Sequence, residues 1–395
     1  MAEGASQGPL ADVRVLDLSS VVMGPFATQI LGDLGADVIT VEDIGGDTNR
    51  YMGPGPHPHL SGVALNLMRN KRNVSLNLKH PEGREVFLRL AETADVLVTN
   101  LRPGPLGRLG LAYEDVAARK PDIVYCQAQG WPTDGPRGDQ PAYDDVVQSA
   151  SGMADIYEMQ GGVPRIVPTI MADKVSGLTI VYTVLAALHH QRRTGQGQRV
   201  EVPMVNVMTS FLLAEHGGGS IPVPPLGEAG YRRVLSADRR PQRTLDGWIH
   251  ILPYSRQNYV DIFHAGGRED LADDPRLGDR ATRSANVDHL YASVSEILAT
   301  RTTEEWLAFC EERDIPCTAI VRLADLVDSL PVVEHPVAGP YRAIPNGIHM
   351  EATPPAVRRH APLIGQHNDE VLAEVGYAPA ERAALREAGT LRERG

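Results

Sequence analysis

Cysteine is scarce in this 395-residue chain, which holds three. Cys126, Cys310 and Cys317 form no C-x-x-C pair, so a disulfide scaffold is excluded and buried apolar packing is their expected role. Basic residues are also in the minority, with 38 Lys and Arg against 50 Asp and Glu and a formal net charge of −12. This balance argues against general binding to nucleic acid, whose phosphates require a basic surface.

Long apolar runs and leader-like segments are missing as well. No uncharged apolar run reaches the ~20 residues that span a bilayer. The N-terminus has no basic segment followed by a long apolar stretch. We therefore expect no signal peptide, no membrane span and a cytoplasmic location. The length itself favours two domains, or one domain with a large insertion.

Three common enzyme signatures are absent from the sequence. The turn after the first predicted strand reads SSVVMGP, with one glycine where a dinucleotide-binding fingerprint needs three. The histidine motifs HPH (57–59) and HH (189–190) lack a third ligand at helical spacing, which disfavours a metal site. The G-x-S-x-G elbow of serine hydrolases is also missing. The chemistry of this chain must come from other residues.

The sequence does contain a regular alternation of short apolar strands with helical segments. The strands predicted for the first half of the chain are 13–18, 36–42, 73–78, 95–100, 122–130 and 199–204. This alternation predicts a doubly wound, mostly parallel sheet, in which ligands bind beyond the carboxyl ends of the strands. Residues 217–245 are rich in Gly, Pro and Arg, and predict a crossover to a second unit at about 246–335.

Basic residues cluster around two of the predicted strands. Lys71, Arg72 and Lys79 surround the third strand, and Arg102 and Arg108 follow the fourth. In an acidic chain, this clustering predicts a site for a ligand with several phosphates, which cationic side chains and backbone N–H groups would bind. For any one of these residues, solvated surface charge is the alternative.

Six ordered segments between about residues 10 and 377 resemble the class III CoA-transferase family, of the formyl-CoA transferase type. They are LDLSSVVMGPFATQILGDLGADVITVE, NKRNVSLNLKHPEGREVFLRLAETADVLVTNLRPGPLGRLGL, YDDVVQSASGM, MADKVSGL, RRTGQGQRVEVPM and RHAPLIGQHNDEVLAEVGY. The resemblance implies an α/β fold with a Rossmann-like doubly wound large domain, a smaller α/β domain and an interlocked homodimer. It would assign 1–222 to the first part of the large CoA-binding domain and 223–335 to the linker and small domain. The return segment 336–395 would complete the large domain.

The resemblance also implies the activity, which is transfer of coenzyme A from an acyl-CoA donor to a carboxylic acid acceptor, without a metal ion. The family's catalytic aspartate lies in a G/A-D-x-x-S-G pattern, which residues 172–177 match as ADKVSG and which selects Asp173. Without the family pattern, Asp173 would be interpreted as a helix cap. The other site residues implied are Tyr143 and Asp144 near the thiol end and, around the rest of CoA, Val22, Met23, Leu76, Asn77, Lys79, Asn100, Leu101, Arg102 and Arg108.

The proposed role of Asp173 is chemically plausible on its own terms. An aspartate with a pKa near ~4 is ionised at neutral pH, and a helix N-terminus favours that charge further. Attack on a thioester would give an acyl-aspartyl anhydride and then an aspartyl-CoA thioester.

Two alternatives stay open. One is an α-methylacyl-CoA racemase of the same superfamily, disfavoured because residues 142–144 read AYD where the racemases carry a histidine. The other is a non-catalytic acyl-CoA-binding protein, which would not need Asp173. The motifs do not identify the donor and acceptor acids.

Overall fold

The computed structural model describes residues 8–392, and the expectation of no signal peptide falls partly on residues 1–7, outside this range. The strands within it are β1 (Arg14–Leu18), β2 (Asp37–Glu42), β3 (Lys71–Ser75), β4 (Val96–Thr99), β5 (Val124–Gln129), β6 (Gln198–Pro203), β7 (Gln242–Arg243), β8 (Trp248–Ile251), β9 (Cys317–Ala319), β10 (Val332–His335) and β11 (Gly339–Arg342).

Helices connect most of these strands. They are α1 (Met23–Asp33), α2 (Gly62–Leu67), α3 (Pro81–Glu92), α4 (Pro103–Leu109), α5 (Tyr113–Ala117), α6 (Asp144–Ala150), α7 (Asp155–Met159), α8 (Met171–Thr194), α9 (Met204–His216), α10 (Arg232–Leu235), α11 (Arg256–Ala265), α12 (Glu269–Ala272), α13 (Arg280–Ala285), α14 (Val287–Leu298), α15 (Thr303–Glu312), α16 (Leu323–Asp328), α17 (Asn368–Glu374) and α18 (Pro379–Glu387). Short 3₁₀ turns lie at Thr48–Tyr51, Gly218–Ser220 and Pro275–Leu277.

The six strands predicted for the first half of the chain form one sheet, in the order β3-β2-β1-β4-β5-β6. Every neighbouring pair is parallel, and the observed strand ends differ from the predicted ones by at most about three residues. The mixed α/β fold with a parallel sheet is therefore confirmed. Because the strand order reverses between β1 and β4, a crevice for ligands is expected at the carboxyl ends of these two strands.

Apolar side chains on both faces of the sheet are buried, as parallel strands require. On one face, Leu16, Ile39 and Leu97 join a core that α3, α4, α17 and α18 cover. On the other face, α1 packs along α8. A Cβ atom on Gly177 of α8 would lie 2.9 Å from the carbonyl oxygen of Met23, so glycine allows this close approach of the two helices.

Contacts between Cα atoms divide the chain into two compact units. The first, the sheet unit, contains the residues up to Ser151, Ile166–Phe211 and the chain from Leu330 onwards. The second unit contains Gly152–Arg165 and Leu212–Ser329. Its antiparallel sheet has the order β7-β8-β9, and its core gathers side chains from α11, α14 and α15. The predicted helices at 256–264, 286–299 and 303–312 are confirmed there.

Helix α8 is long and apolar enough to cross a membrane by length and composition alone, although its first turn carries Asp173 and Lys174. Core helices meet the same criterion, and α8 packs against α1, β5 and β6. Leu178 and Tyr182 on this helix are 52% and 62% exposed. The expectations of no membrane span and of an interlocked homodimer stay predictions.

A buried ion pair joins three elements of the sheet unit. The Nζ atom of Lys71 on β3 lies 2.9 Å from Oδ2 of Asp17 on β1, and both side chains are fully buried. The same ammonium group donates to Oγ1 of Thr28 at 2.7 Å and to the carbonyl oxygen of Pro25 at 3.0 Å, both on α1. Asp17 also accepts from the backbone N–H of Ser19 at 3.1 Å. The pair therefore fixes β1, β3 and α1 to one another.

We expect Lys71→Met to destabilise the protein by about 3–5 kcal/mol, because it leaves the Asp17 carboxylate buried without its counterion. Urea denaturation followed by circular dichroism measures the effect. Adding Asp17→Asn to Lys71→Met should recover part of the loss, because the double variant buries no charge at this position. Lys120→Met, which removes a surface ion pair with Asp122, is the control and should cost less than about 1 kcal/mol. If Lys71→Met also lowered the free energy of unfolding by less than about 1 kcal/mol, the result would contradict a stabilising role of the Lys71–Asp17 pair.

Candidate active site

The turn that leaves β1 is held by side chains from two other parts of the sheet unit. The backbone N–H of Ser20 donates to Oδ1 of Asn100 at 2.9 Å, and Nδ2 of Asn100 donates to the Ser20 carbonyl at 2.8 Å. The N–H of Val21 donates to the Asp47 carboxylate at 3.2 Å. Val21 has φ of 67°, a left-handed conformation that β-branched residues rarely adopt. The surrounding side chains thus impose a strained backbone at this position.

Val22 and Met23, predicted to line the CoA site, follow this turn as the cap and first residue of α1. No side chain caps this helix in the described residues, so the N–H groups at its start are not used by a side-chain cap. Gly177 of α8 lies against the Met23 carbonyl, one helical turn after Asp173. The structure therefore brings the β1–α1 turn and the start of α8 together.

The predicted basic residues Lys79 and Arg108 line one cavity of about 760 Å³, between the loop after β3 and helix α4. No carboxylate forms an ion pair with either of them in the part of the chain that the structure describes. His80 and Arg84 also line this cavity, and Arg84 Nε donates to the Gly110 carbonyl at 3.2 Å. The sequence analysis did not predict His80 and Arg84 as ligand-binding residues, because it used this segment only to place the start of α3. Their spacing of four residues, which places both side chains on one face of a helix, was the available signal.

Lys71 and Arg72 do not belong to this basic cavity, and their inclusion in a phosphate site was wrong. Lys71 is bound by Asp17, whereas Arg72 pairs with Asp37 at 2.6 Å and with Glu374 at 2.5 Å. Strand β3 begins two residues earlier than predicted, so both cations lie within the sheet. Adjacent strand residues face opposite sides, and each of these two meets a carboxylate on its own side.

The other residues predicted around CoA support the loops and lie outside the cavity lining. Leu76 is 1% exposed and packs in the core, so its side chain is not available to a ligand. Asn77 shapes the following loop, where its Oδ1 accepts from the Lys79 N–H at 3.2 Å. Leu101 packs against the same core, and Arg102 donates to the Asp139 carbonyl at 2.5 Å.

Asp173 and Asp144 form the acidic part of the site. Helix α8 leads into the start of β6, so it runs antiparallel to the strands and its first turn lies at the carboxyl edge. There the Asp173 N–H donates to Oδ1 of Asp144 at 2.9 Å. The second oxygen of Asp144 accepts from Gln148 at 2.6 Å, and Gln148 in turn accepts from the Val167 N–H at 2.8 Å. Tyr143, expected at the thiol end, is 71% exposed.

Burial and, to a smaller extent, the nearby Asp144 carboxylate together raise the pKa of Asp173 to about 7. The sequence-based expectation of a pKa near ~4 is therefore wrong at this position. A helix N-terminus lowers a carboxyl pKa, but here desolvation and the second negative charge outweigh it. Near neutral pH, Asp173 is divided between its protonated and ionised forms.

The two halves of the site offer different chemistry. The cavity between α3 and α4 presents cationic N–H donors, which suit phosphate oxygens. The start of α8 presents a buried carboxylate at the carboxyl edge of the sheet, and α8 packs against the first turn of α1 through Gly177, an arrangement compatible with acyl transfer. Within residues 8–392, no three His, Cys, Asp or Glu side chains are grouped to hold a metal ion.

Comparison with known proteins identifies the family. The profile of CoA-transferase family III matches residues 10–368. A probable fatty acyl-CoA transferase of Mycobacterium tuberculosis is 34% identical over 312 residues, which cover 76% of this chain and 79% of that protein. Succinyl-CoA:glutarate CoA-transferase of Mus musculus is 30% identical over 379 residues, which cover 94% of this chain and 87% of that enzyme.

A solved structure agrees with these sequence matches. The crystal structure of a CaiB/BaiF family protein from Brucella suis superposes with a TM-score of 0.79 at 26% identity, and covers 93% of this chain and 99% of that one. The likeness includes the mixed α/β fold with its six-stranded parallel sheet. Because the family profile and curated relatives both span most of the chain, the chain belongs to CoA-transferase family III.

Proposed function

We propose that this chain transfers coenzyme A from an acyl-CoA donor to a carboxylic acid acceptor, with Asp173 as the nucleophile. The observation that carries the proposal is the pair formed by Asp173 and Asp144, at the carboxyl edge of the sheet beside the first turn of α1. Ligands of doubly wound sheets bind at this edge. A buried carboxylate whose charge is disfavoured is typical of catalytic sites.

The transfer proceeds in four displacements at carbonyl carbon. The Asp173 carboxylate attacks the thioester, a C–O bond forms, and the C–S bond breaks to give an acyl-aspartyl anhydride and CoA thiolate. The thiolate attacks the aspartyl carbonyl and releases the donor acid, leaving an aspartyl-CoA thioester. The acceptor carboxylate then displaces the thiolate to form a second anhydride. Attack of the thiolate on the acceptor's carbonyl gives the new acyl-CoA and restores Asp173.

The protein environment favours acylation of Asp173. Burial and the Asp144 charge destabilise the ionised carboxylate. Formation of an anhydride or thioester removes that charge, so both penalties are relieved as the covalent intermediate forms. The open N–H groups of Val22 and Met23 are donors for the oxyanion that develops in each displacement.

The cavity between α3 and α4 supplies the site for the phosphates of CoA. Lys79 and Arg108 lie on its lining without carboxylate partners in the described residues, and His80 and Arg84 add further N–H donors. A phosphate ligand bound there gains charge-assisted hydrogen bonds without the loss of an existing ion pair.

Racemisation is a less suitable function for this site. It needs two bases that exchange an α-proton. Both carboxylate oxygens of Asp144 already accept hydrogen bonds, from the Asp173 N–H and from Gln148, and Tyr143 stands where the racemases carry a histidine. Asp144 is therefore better suited to orient Asp173 than to act as a second base.

Incubation with succinyl-CoA or a fatty acyl-CoA, the donor classes in the names of the two relatives, should leave an acyl or CoA adduct on Asp173. Mass spectrometry of peptides detects it. Asp173→Asn should lose the adduct and about 10³-fold or more of the transfer rate, because its amide is not a nucleophile. Asp145→Asn, on the exposed side of α6, is the matched control and should behave like the unchanged protein.

Full CoA transfer by Asp173→Asn would rule out the nucleophilic role. Exchange of the α-proton with solvent deuterium, without CoA transfer, would point to a racemase. Tight acyl-CoA binding without turnover of any acid would point to a binding protein.

The pH dependence of kcat/KM should have an acid limb near pH 7, because only ionised Asp173 attacks and its pKa is about 7. Below that pH the rate should fall about tenfold per unit. Asp144→Asn keeps a hydrogen-bond acceptor for the Asp173 N–H but removes the neighbouring charge, so the limb should move to lower pH. Rates measured between about pH 5 and 9 test this. An unmoved limb in Asp144→Asn would contradict the electrostatic coupling, and Asp145→Asn serves as control.

Lys79→Gln should raise the KM for acyl-CoA by about 10- to 100-fold with little change in kcat, because a charge-assisted bond to phosphate is worth about 1.5–3 kcal/mol. The loss should shrink at high salt, because screening weakens the attraction between Lys79 and phosphate that the unchanged protein has and the variant lacks. The KM for the acceptor acid should stay unchanged, and Lys120→Gln should leave both constants unaltered. Equal rises in the KM for the acceptor acid and in the KM for acyl-CoA would contradict a specific contact between Lys79 and the phosphates of CoA.

A further inference from the structure

The second unit contains a cavity of about 250 Å³ that belongs to neither half of the proposed CoA site. It lies between the start of α10, the loop before α11 and the short helix α13. Three arginines and three tyrosines contribute to its lining, and no Asp or Glu side chain does. Such a composition is unusual in a chain with a net charge of −12.

Arg233 is held by two tyrosine side chains. Its Nε donates to the hydroxyl of buried Tyr291 at 3.1 Å, and its guanidinium carbon lies 4.6 Å from the centroid of the Tyr254 ring. A hydrogen bond and a ring face therefore hold the guanidinium group in one orientation. The contacts with Tyr291 and with Tyr231 use part of the five N–H donors of arginine, and the others remain for a ligand.

The positive charge of the cavity has little compensation. Neither Arg233 nor Arg280 forms an ion pair within residues 8–392, and Arg283 donates to the carbonyl groups of Leu277 and Gly278. Two acids adjacent in sequence have other partners: Asp279 caps α13 and also feels the charge of Arg283, and Asp288 pairs with Arg232 at 3.6 Å. An anion that entered the cavity would meet guanidinium groups without having to displace a carboxylate.

Apart from the arginines, Ser284 and the tyrosine hydroxyl groups, the lining is apolar. Pro253, Tyr259 and Val287 are buried and form a rigid wall, whereas the Tyr254 ring is 62% exposed at the rim. The volume exceeds that of a single water several-fold but is below the roughly 300–1,000 Å³ of pockets for drug-sized ligands. The cavity therefore suits a small molecule with one anionic end and a planar body, and is too small for CoA.

We propose that this cavity binds a small carboxylic acid with an aromatic or unsaturated body. The carboxylate accepts from the free N–H groups of Arg233 and from Arg280, in the two-point geometry that guanidinium and carboxylate groups share. The planar body lies against the wall of Pro253, Tyr259 and Val287. The proposal concerns the second unit alone and does not depend on the role of Asp173.

Titration calorimetry of the full chain with benzoate tests the proposal. Benzoate should bind, and benzyl alcohol, which has the ring but no charge, should bind at least about tenfold more weakly. Arg233→Gln should weaken benzoate binding by about tenfold or more, and Arg280→Gln, whose side chain has no ion pair to lose, should weaken it several-fold. Arg232→Gln, the exposed neighbour paired with Asp288, is the matched control and should bind like the unchanged protein.

Two results would overturn the proposal: no heat of binding up to about 10 mM benzoate, or equal affinity in Arg233→Gln, Arg280→Gln and the unchanged protein. Tighter binding of phenyl phosphate than of benzoate, by about tenfold, would assign the cavity to phosphates instead. Asp173→Asn should bind benzoate unchanged, so this result stands apart from the success or failure of the proposed CoA transfer.

Discussion

The buried ion pair between Lys71 and Asp17 is the interaction on which the geometry of the candidate site depends. An unpaired charge in this core would cost several kcal/mol, so the two residues hold β1, β3 and α1 in one arrangement. Asp17 also binds the N–H and hydroxyl groups of Ser19, where the turn after β1 begins. Asn100 and Asp47 then fix the next two residues. The strained backbone of Val21 persists because this many contacts determine it, and the first turn of α1 is thereby presented at the carboxyl edge.

Most of the sheet was predictable because its information is local. Each strand is a short apolar run, each helix has its own period, and their alternation implies the parallel order. The cations on β3 were not predictable in the same way. Lys71 finds its partner 54 residues earlier in the chain, and Arg72 finds one of its partners 302 residues later. The sequence of a basic run does not show whether its side chains face solvent, a phosphate or a buried carboxylate. Only the tertiary contacts distinguish these three environments.

The candidate nucleophile illustrates the same limit for electrostatics. The motif predicted that Asp173 lies at the start of α8. A helix N-terminus contributes typically 0.3–1 kcal/mol in favour of a negative charge. Sequence does not reveal how deeply the side chain is buried, or that a second carboxylate lies beside it. These two terms have the opposite sign and are larger, so the pKa of Asp173 rises to about 7. Family resemblance selects Asp173 as the candidate, whereas the fold determines the protonation of its carboxyl group.

The two halves of the candidate site lie over opposite faces of the sheet. The basic cavity is built on the side of α3 and α4, whereas Asp173 starts α8, which packs with α1 on the other side. A ligand that reaches both must therefore cross the carboxyl edge, and the turn from Ser19 to Val22 lies at that edge where the strand order reverses. A long, flexible molecule with phosphates at one end and a thiol at the other has the shape that this arrangement requires. In the proposed transfer, the rigidity of the turn would favour the reaction, because backbone N–H groups stabilise an oxyanion best when they are already in place as it forms.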